Sequence, residues 1–209
     1  MSGVGEKRIV IIGGGGHAKV VAASWLDGGG CIDAILDDNP SLQGQLLLGH
    51  EISLQPRGKD ILNEIPAILA IGDNETRRRL SASLDPHSWQ TVIHPGAYVH
   101  ESAKIGVGAL ICAGAIVQPD VRIGDHVIVN SGAVIEHDCE VGDFAHIGPT
   151  ACLGGGVIAG EGVFVGLGAK VMPLRQLGNW SIVGAGAVVV RNVGSGLTVA
   201  GVPARPLSR

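Results

Sequence analysis

Aromatic residues are nearly absent: three Trp, one Tyr and two Phe among 209 residues. That excludes an ordinary aromatic-rich core, so the interior must be narrow and filled by Val, Ile, Leu and Ala. Charge is scarce as well, at 16%, with a formal net charge of −4 and no long Lys/Arg cluster. No nucleic-acid footprint is expected. Mean hydropathy is +0.34, yet Gly and charged residues interrupt every apolar run before ~18 residues, so no transmembrane helix and no membrane partner are expected. No basic segment followed by an apolar one opens the chain, and no secretory signal is expected. Cys31, Cys112, Cys139 and Cys152 include no C-x-x-C pair; they read as reduced thiols of a cytoplasmic protein.

Glycine is what the chain has in excess, at 34 residues, about twice the usual share. The glycines lack the period of three that collagen requires. From Thr91 to Asn192 the chain instead divides into 17 hexads without an insertion: TVIHPG, AYVHES, AKIGVG, ALICAG and so on to AVVVRN. The third position is Ile, Val or Leu except at Ala159, and the first is Ala, Val, Thr, Ser or Cys except at Arg175. Positions 1 and 3 are two apart and face the same side of a short strand. Gly, Asn, Asp or Pro follows where the chain must turn. Three sides of six residues close a triangular parallel coil of 18 residues per turn.

Position 2 then points outward. One outer row carries Val92, Leu110, Ile128, His146, Phe164 and Ile182; the next carries Tyr98, Ile116, Val134, Cys152, Lys170 and Val188. The third carries Lys104, Arg122, Glu140, Ile158 and Gln176. Two rows are largely apolar, which a soluble monomer avoids, and two different adhesive faces suit a closed ring, the smallest a homotrimer. An N-terminal domain lying over one wall is the alternative.

Residues 1–90 have another period. KRIVII, CIDAILDDN and PAILAIGDN read as strands, separated by a glycine-rich turn with the helix GGGGHAKVVAASWL, and NETRRRLSASL reads as a helix with Asn74 as N-cap. Strand–helix alternation implies a Rossmann-like βαβαβ domain, with the coil occupying 91–209. Gly13, Gly15 and Ala18 fit G-x-G-x-x-A, and Asp37 lies 19 residues beyond Ala18, where a ribose-binding acid belongs. Two readings stand for the glycines: a phosphate-approach turn at a helix N-terminus, or a tight structural turn.

On the coil, His137 follows Glu136 at a turn and stacks, 18 residues apart, beneath Gly155; the glycine is expected to leave room for a ligand. His146 sits on an apolar outer row between Ile128 and Phe164, where a histidine needs a reason.

IVIIGGGGHAKVV, IGDN, NSGAVIEHDCEVGDFAHIGP and the closing VAGVPARP together resemble the bacterial acetyl-CoA-dependent hexapeptide-repeat sugar acetyltransferases of the bacillosamine, perosamine and sialic-acid type. The resemblance implies a left-handed β-helix, although parallel crossovers are ordinarily right-handed. It implies His137 as catalytic base, Glu136 and His146 as its polar support and Asn130 as an active-site asparagine. It further implies a nucleotide-sugar pocket at Gly13, Gly14, Gly15, Gly16, Asp37, Asp38 and the turn Gly72, Asp73, Asn74. Acetyl-CoA would lie along the coil between two subunits, by His146, Gly155, Leu167 and Ala185. The chain departs from the family pattern at Leu174–Trp180, within MPLRQLGNW. The implied reaction is N-acetylation of a nucleotide-linked amino sugar for bacterial glycan (lipopolysaccharide-type) biosynthesis, by direct transfer and without a metal. Acetylation of a sugar hydroxyl and a non-catalytic structural trimer are the alternatives. A zinc enzyme like the γ-class carbonic anhydrases would need three converging histidines, and no two of His94, His100, His126, His137 and His146 are five apart as that motif requires.

Overall fold

The computed structural model describes residues 7–54 and 59–207, which divide into two compact units between Pro95 and Gly96.

The N-terminal unit is a small α/β domain. It contains β1 (Arg8–Ile12), α1 (Gly16–Asp27), β2 (Cys31–Asp37), β3 (Leu46–Leu47), β4 (His50–Leu54), α2 (Lys59–Leu62), β5 (Ala67–Leu69) and α3 (Asn74–Ser83). The sheet order is β3-β4-β2-β1-β5, parallel throughout except for the β3–β4 pair. β1 is buried at every residue from Ile9 to Ile12, as a central parallel strand must be. In α1, Ala18, Val21, Ala22 and Trp25 are buried; their spacing of three and four residues forms one stripe toward the sheet. The chain leaves β1 toward β2 and later returns on β1's other flank as β5. The crevice beyond the carboxyl ends of β1 and β5 is therefore a topological switch point.

Two features differ from the sequence reading. LLLGHEISL forms a hairpin, β3 and β4, because Leu47 and Ile52 are buried while Leu48 and Gly49, both with positive φ, supply a two-residue turn. The N-cap of α3 is Asp73, not Asn74: the Asp73 carboxylate accepts from the Thr76 N–H at 2.8 Å, whereas Asn74 is the first helical residue and its side chain turns inward.

The second unit is a parallel coil with three faces. The first runs through Leu110–Ile111, Ile128–Val129, His146–Ile147, Phe164–Val165 and Ile182–Val183, then Thr198–Ala200 and an antiparallel strand, Arg205–Pro206. The second has six strands, from Tyr98–Val99 to Val188–Val189, and the third has five, from Lys104–Ile105 to Gln176–Leu177. Parallel neighbours up to Val189 are 18 residues apart, as Ile128, His146 and Phe164 show; Thr198 follows Ile182 by 16. From Ile111 to Val189 every third-position residue is buried in one continuous core. The first hexad departs from the pattern: Val92 is buried and Ile93 exposed, and both belong to the N-terminal unit.

The sixth residue of each hexad is left-handed at every corner from Gly108 to Gly186, whatever its type. Asp120, His126, Asp138, Phe144, Thr150, Leu174 and Trp180 adopt this conformation as well as the glycines. It costs roughly 1–3 kcal/mol at each non-glycine, and stacking between coils offsets part of it. His126 and Phe144 stack face to face with centroids 5.4 Å apart, and Trp180 lies down on Gly162.

The first outer row is less exposed than its composition suggests. Val92, Leu110, Ile128 and His146 are already buried within one chain, Phe164 is half-buried and Ile182 is exposed. The expectation of two bare apolar walls is corrected to one partly covered row and one half-exposed row.

Candidate active site

His137 stands on the corner between the second and third faces, immediately after the strand Val134–Ile135. The next residue, Asp138, has φ 60°. That turn brings the Asp138 carboxylate to within 2.7 Å of His137 Nδ1. The partner of His137 is thus Asp138, on the far side of the histidine from Glu136. Bonding to Asp138 holds the imidazole pKa above its ordinary 6.5, and the charges of Asp138 and Glu136 act in the same direction. With Nδ1–H donating to the carboxylate, the neutral ring presents its lone pair at Nε2. The ring is exposed on the outside of the coil.

Gly155 lies under that ring, one coil on. A Cβ placed on Gly155 would fall 2.7 Å from His137 Nε2 and 2.8 Å from Cε1. The glycine therefore makes room for the imidazole itself, a correction to the expectation that it leaves space for a ligand. Glu136 is half-buried, and its charge helps raise the Cys139 and Cys152 thiols. Burial is the main cause at Cys139 and pushes it up to about 11. Its Sγ–H donates to Gly154 O at 3.2 Å. Cys139 is a protonated core thiol at neutral pH, unsuited to carry an acyl group.

Asn130 and His146 form a second cluster. His146, buried in the middle of the first face, lies edge-on to Phe164 with centroids 5.3 Å apart. Asn130 Oδ1 accepts from the Ser131 N–H at 2.8 Å. Its Nδ2 therefore faces His146 Nε2 at 3.0 Å and donates to it, which places the ring proton on Nδ1. In a three-sided coil the corner bearing His137 lies opposite the face bearing His146. One chain does not bring the two histidines together.

The cofactor residues divide in the same way. Gly155 belongs to the His137 corner. Leu167 and Ala185, both exposed, occupy the fifth hexad position at the corner between the first and second faces, one position on from Asn130 in hexad order. Close coil packing flattens that corner. A Cβ on Gly148 or Gly166 would come within 2.6–2.7 Å of the next coil's backbone.

In the N-terminal unit the expected pocket residues converge at the switch point. Gly13 has φ 109°, and a Cβ there would lie 3.0 Å from Ala70 O and 3.1 Å from Ile71 Cγ1. The glycine turn thus packs directly against the turn after β5. Asp37, ending β2, accepts from the Gly14 N–H at 2.6 Å and the Asn39 N–H at 2.8 Å. Gly15 caps α1 without a side-chain bond, and open space surrounds the Cβ positions of Gly15, Gly16 and Gly72. Asp38 and Asp73 are exposed at the same end of the sheet. Asn74 is buried, and its Oδ1 accepts from Arg77 Nη2 at 3.0 Å; its side chain faces the protein interior.

Asp138 and Arg77 escaped the sequence reading. The signal for Arg77 was its i+3 spacing from Asn74. Asp138 gave none, because E-H-D is symmetrical in sequence and only the left-handed corner selects one acid. Among the described residues no three His, Cys, Asp or Glu side chains gather as a metal site, and no helix is long and apolar enough to cross a membrane.

Residues 8–84 match the PglD N-terminal domain family, and residues 120–155 match the bacterial transferase hexapeptide family (six repeats). UDP-N-acetylbacillosamine N-acetyltransferase of Bacillus subtilis is 40% identical over 120 residues, 51% of this chain and 52% of that protein. The alignments span only 20% and 52% of the curated relatives' own lengths. Two solved structures match over nearly their full extent. GDP-perosamine N-acetyltransferase of Caulobacter crescentus, solved with CoA and GDP-perosamine, is 37% identical over 99% of this chain and 98% of that one, with a TM-score of 0.90. The acetyltransferase domain of PglB from Neisseria gonorrhoeae, solved with acetyl coenzyme A, is 36% identical over 97% of this chain and 100% of that domain, with a TM-score of 0.89.

Proposed function

The chain belongs to the left-handed β-helical, hexapeptide-repeat acetyl-CoA:sugar N-acetyltransferases, and from that premise we propose that it transfers an acetyl group from acetyl-CoA to the amine of a nucleotide-linked amino sugar. The bonded pair His137 Nδ1–Asp138, which leaves the Nε2 lone pair for a proton, carries this reading. A sugar ammonium cannot attack a thioester until it loses a proton. With that first proton lost to solvent, the neutral amine attacks the thioester carbon; His137 Nε2 takes a second proton from the nitrogen as the nitrogen–carbon bond forms, and Asp138 orients the ring and stabilises the imidazolium. The carbon–sulfur bond then breaks, and the proton passes to the CoA thiolate. The raised Cys139 thiol supports direct transfer over an acyl-cysteine route.

The working assembly is a cytoplasmic homotrimer in which His137 of one chain meets the Asn130–His146 cluster of the next, since a single chain holds them on opposite sides. Acetyl-CoA runs along the corner of Leu167 and Ala185. The N-terminal unit binds the nucleotide through Gly13–Gly16, Asp37, Asp38 and the Gly72–Asp73 turn, and the product feeds bacterial glycan (lipopolysaccharide-type) synthesis.

The test is release of free CoA with UDP-, GDP- and CMP-linked amino sugars. His137→Ala should lower kcat by ~10²–10⁴ with the KM for acetyl-CoA nearly intact. Turnover of a sugar hydroxyl acceptor in place of the amine, or near-wild-type turnover by His137→Ala, would refute the reading.

A further inference from the structure

Charge is segregated along the coil. Residues 96–161 carry eight Asp or Glu against two cations, Lys104 and Arg122; residues 162–209 carry five Lys or Arg and no Asp or Glu. Two of those five stand at the corner of His137. Pairing of the second-face strands places Gly155, Pro173 and Arg191 one, two and three coils beyond His137. Arg191 is exposed. Arg175 follows Pro173 by two residues, at a first hexad position where Val121, Cys139 and Val157 fill the core. Its side chain stays half-buried instead. Its Nε–H donates to the Pro173 carbonyl at 3.1 Å, which turns the guanidinium back onto the corner. The Gln176 N–H donates to Asn192 Oδ1 at 3.0 Å, so the segments bearing the two arginines are tied one coil apart. Among the described residues, neither Arg175 nor Arg191 has an ion-pair partner.

We propose that Arg175 and Arg191 bind the diphosphate of the acetyl donor, acetyl-CoA, at the far end of the His137 corner. The proposal rests on the acetyl-CoA reading above. Strand spacing puts their two coils ~10 and ~14 Å beyond His137. The pantetheine arm of CoA is as long as about four residues of extended chain, or ~14 Å. A thioester held at His137 Nε2 therefore delivers its phosphates to the height of the arginines. Leu167 and Ala185 lie one and two coils beyond His146 toward the same end, so both sets of cofactor residues climb in one direction. Two planar guanidinium groups suit a diphosphate, since each offers paired N–H donors to its oxygens. The acidic half of the coil repels the phosphates and the cationic half attracts them, so charge also sets which way the cofactor lies. Arg175 falls within Leu174–Trp180, the stretch in which the chain departs from the family pattern.

The full-length protein and its Arg175→Gln, Arg191→Gln and double variants are titrated calorimetrically with CoA, dephospho-CoA and pantetheine. Steady-state KM is measured with acetyl-CoA and S-acetylpantetheine on the nucleotide sugar that the wild type acetylates. If the arginines hold the diphosphate, each single variant weakens CoA binding about three- to tenfold and the double variant more than about tenfold, the scale of exposed charge-assisted contacts. Dephospho-CoA keeps the diphosphate and lacks the 3′-phosphate, and should lose affinity by the same factor. Pantetheine has no phosphate and should change less than about twofold on the same reasoning. KM for acetyl-CoA should rise in parallel, with that for S-acetylpantetheine held. Added salt should narrow the wild type's preference for acetyl-CoA, because exposed charges are screened. Equal losses for CoA and pantetheine, unchanged CoA affinity in the double variant, or a loss seen with CoA but not with dephospho-CoA would overturn the proposal. If Arg175→Gln does not fold, Arg191→Glu, on an exposed corner, decides by the same CoA-to-pantetheine ratio. A wild type that binds CoA through these arginines yet transfers no acetyl group would instead overturn the acetyltransferase reading.

Discussion

Replacing Gly155 by alanine tests the catalytic corner at a distance. Gly155 lacks positive φ and sits where an L-residue is allowed, so one methyl group is the whole perturbation. That methyl would arrive 2.7 Å from His137 Nε2. Ordinary contact begins near 3.4 Å, so the ring must retreat by about 0.7 Å or swing aside. Retreat is open to it, because it lies in solvent and is tied only at Nδ1, to Asp138. The ladder bonds Gly156 N–His137 O and Leu174 N–Gly155 O, both 2.9 Å, involve no atom that the methyl touches.

Stability should therefore hold or rise. Gly→Ala at a compatible site stabilises by ~0.4–1 kcal/mol through the unfolded chain, and the displaced ring gives up no core packing. Rate should fall, because a reacting group misplaced by about 1 Å can cost about 10²-fold. A shift somewhat smaller predicts roughly a 10- to 100-fold loss of kcat. The assay is CoA release at saturating acetyl-CoA and nucleotide sugar, beside a thermal melt. A Gly155→Ala protein with an undiminished melting temperature and wild-type kcat would show that the ring does not work from this position. His137 would then lose its assignment in this rotamer.

The repeat made the coil legible because its rule is local. Positions 1 and 3 must be small or branched at every turn, and from Ile111 to Val189 the third positions are all buried. The corners obeyed a rule that residue identity hides. Phe144, Leu174 and Trp180 occupy the left-handed site although each is a poor candidate for it alone, because hydrogen bonding between coils fixes the backbone first. Asp138 became the partner of His137 for that reason, and no reading of E-H-D supplies the direction of the turn. In the first outer row, composition revealed that Leu110 and Ile128 point outward but not that they are buried. The β3–β4 hairpin was hidden by a Leu48–Gly49 turn where Asn-Gly or Asp-Gly is the usual signal. The glycine motif lies just beyond β1, beside the switch-point crevice. The buried arginine was harder to single out, because NETRRRLSAS offers three arginines and only the helix register, carried by the i+3 spacing from Asn74, buries the first.

The Asp138 carboxylate raises the His137 pKa, and the base must be neutral to act, so activity is lost as pH falls through that pKa. Asp138→Asn should move the acid limb of the kcat/KM profile to lower pH; an unmoved limb removes Asp138 from the working site. Gly15→Leu should raise KM for the nucleotide sugar without unfolding the protein, since nothing lies within 4 Å of its Cβ position and the side chain projects into the crevice; an unchanged KM makes the glycines structural. The last prediction concerns the assembly, because His137 and His146 occupy opposite sides of one coil. Chains carrying His137→Ala and His146→Ala, with different affinity tags, are co-expressed and the mixed trimers isolated. In a head-to-tail ring each interface pairs His137 of one chain with His146 of the next. A mixed trimer then has one interface in three with both histidines native, and turnover should exceed the composition-weighted mean of the two parent homotrimers. A site contained within one chain has no intact copy in any mixture, and turnover equal to that mean would place both histidines outside a shared site.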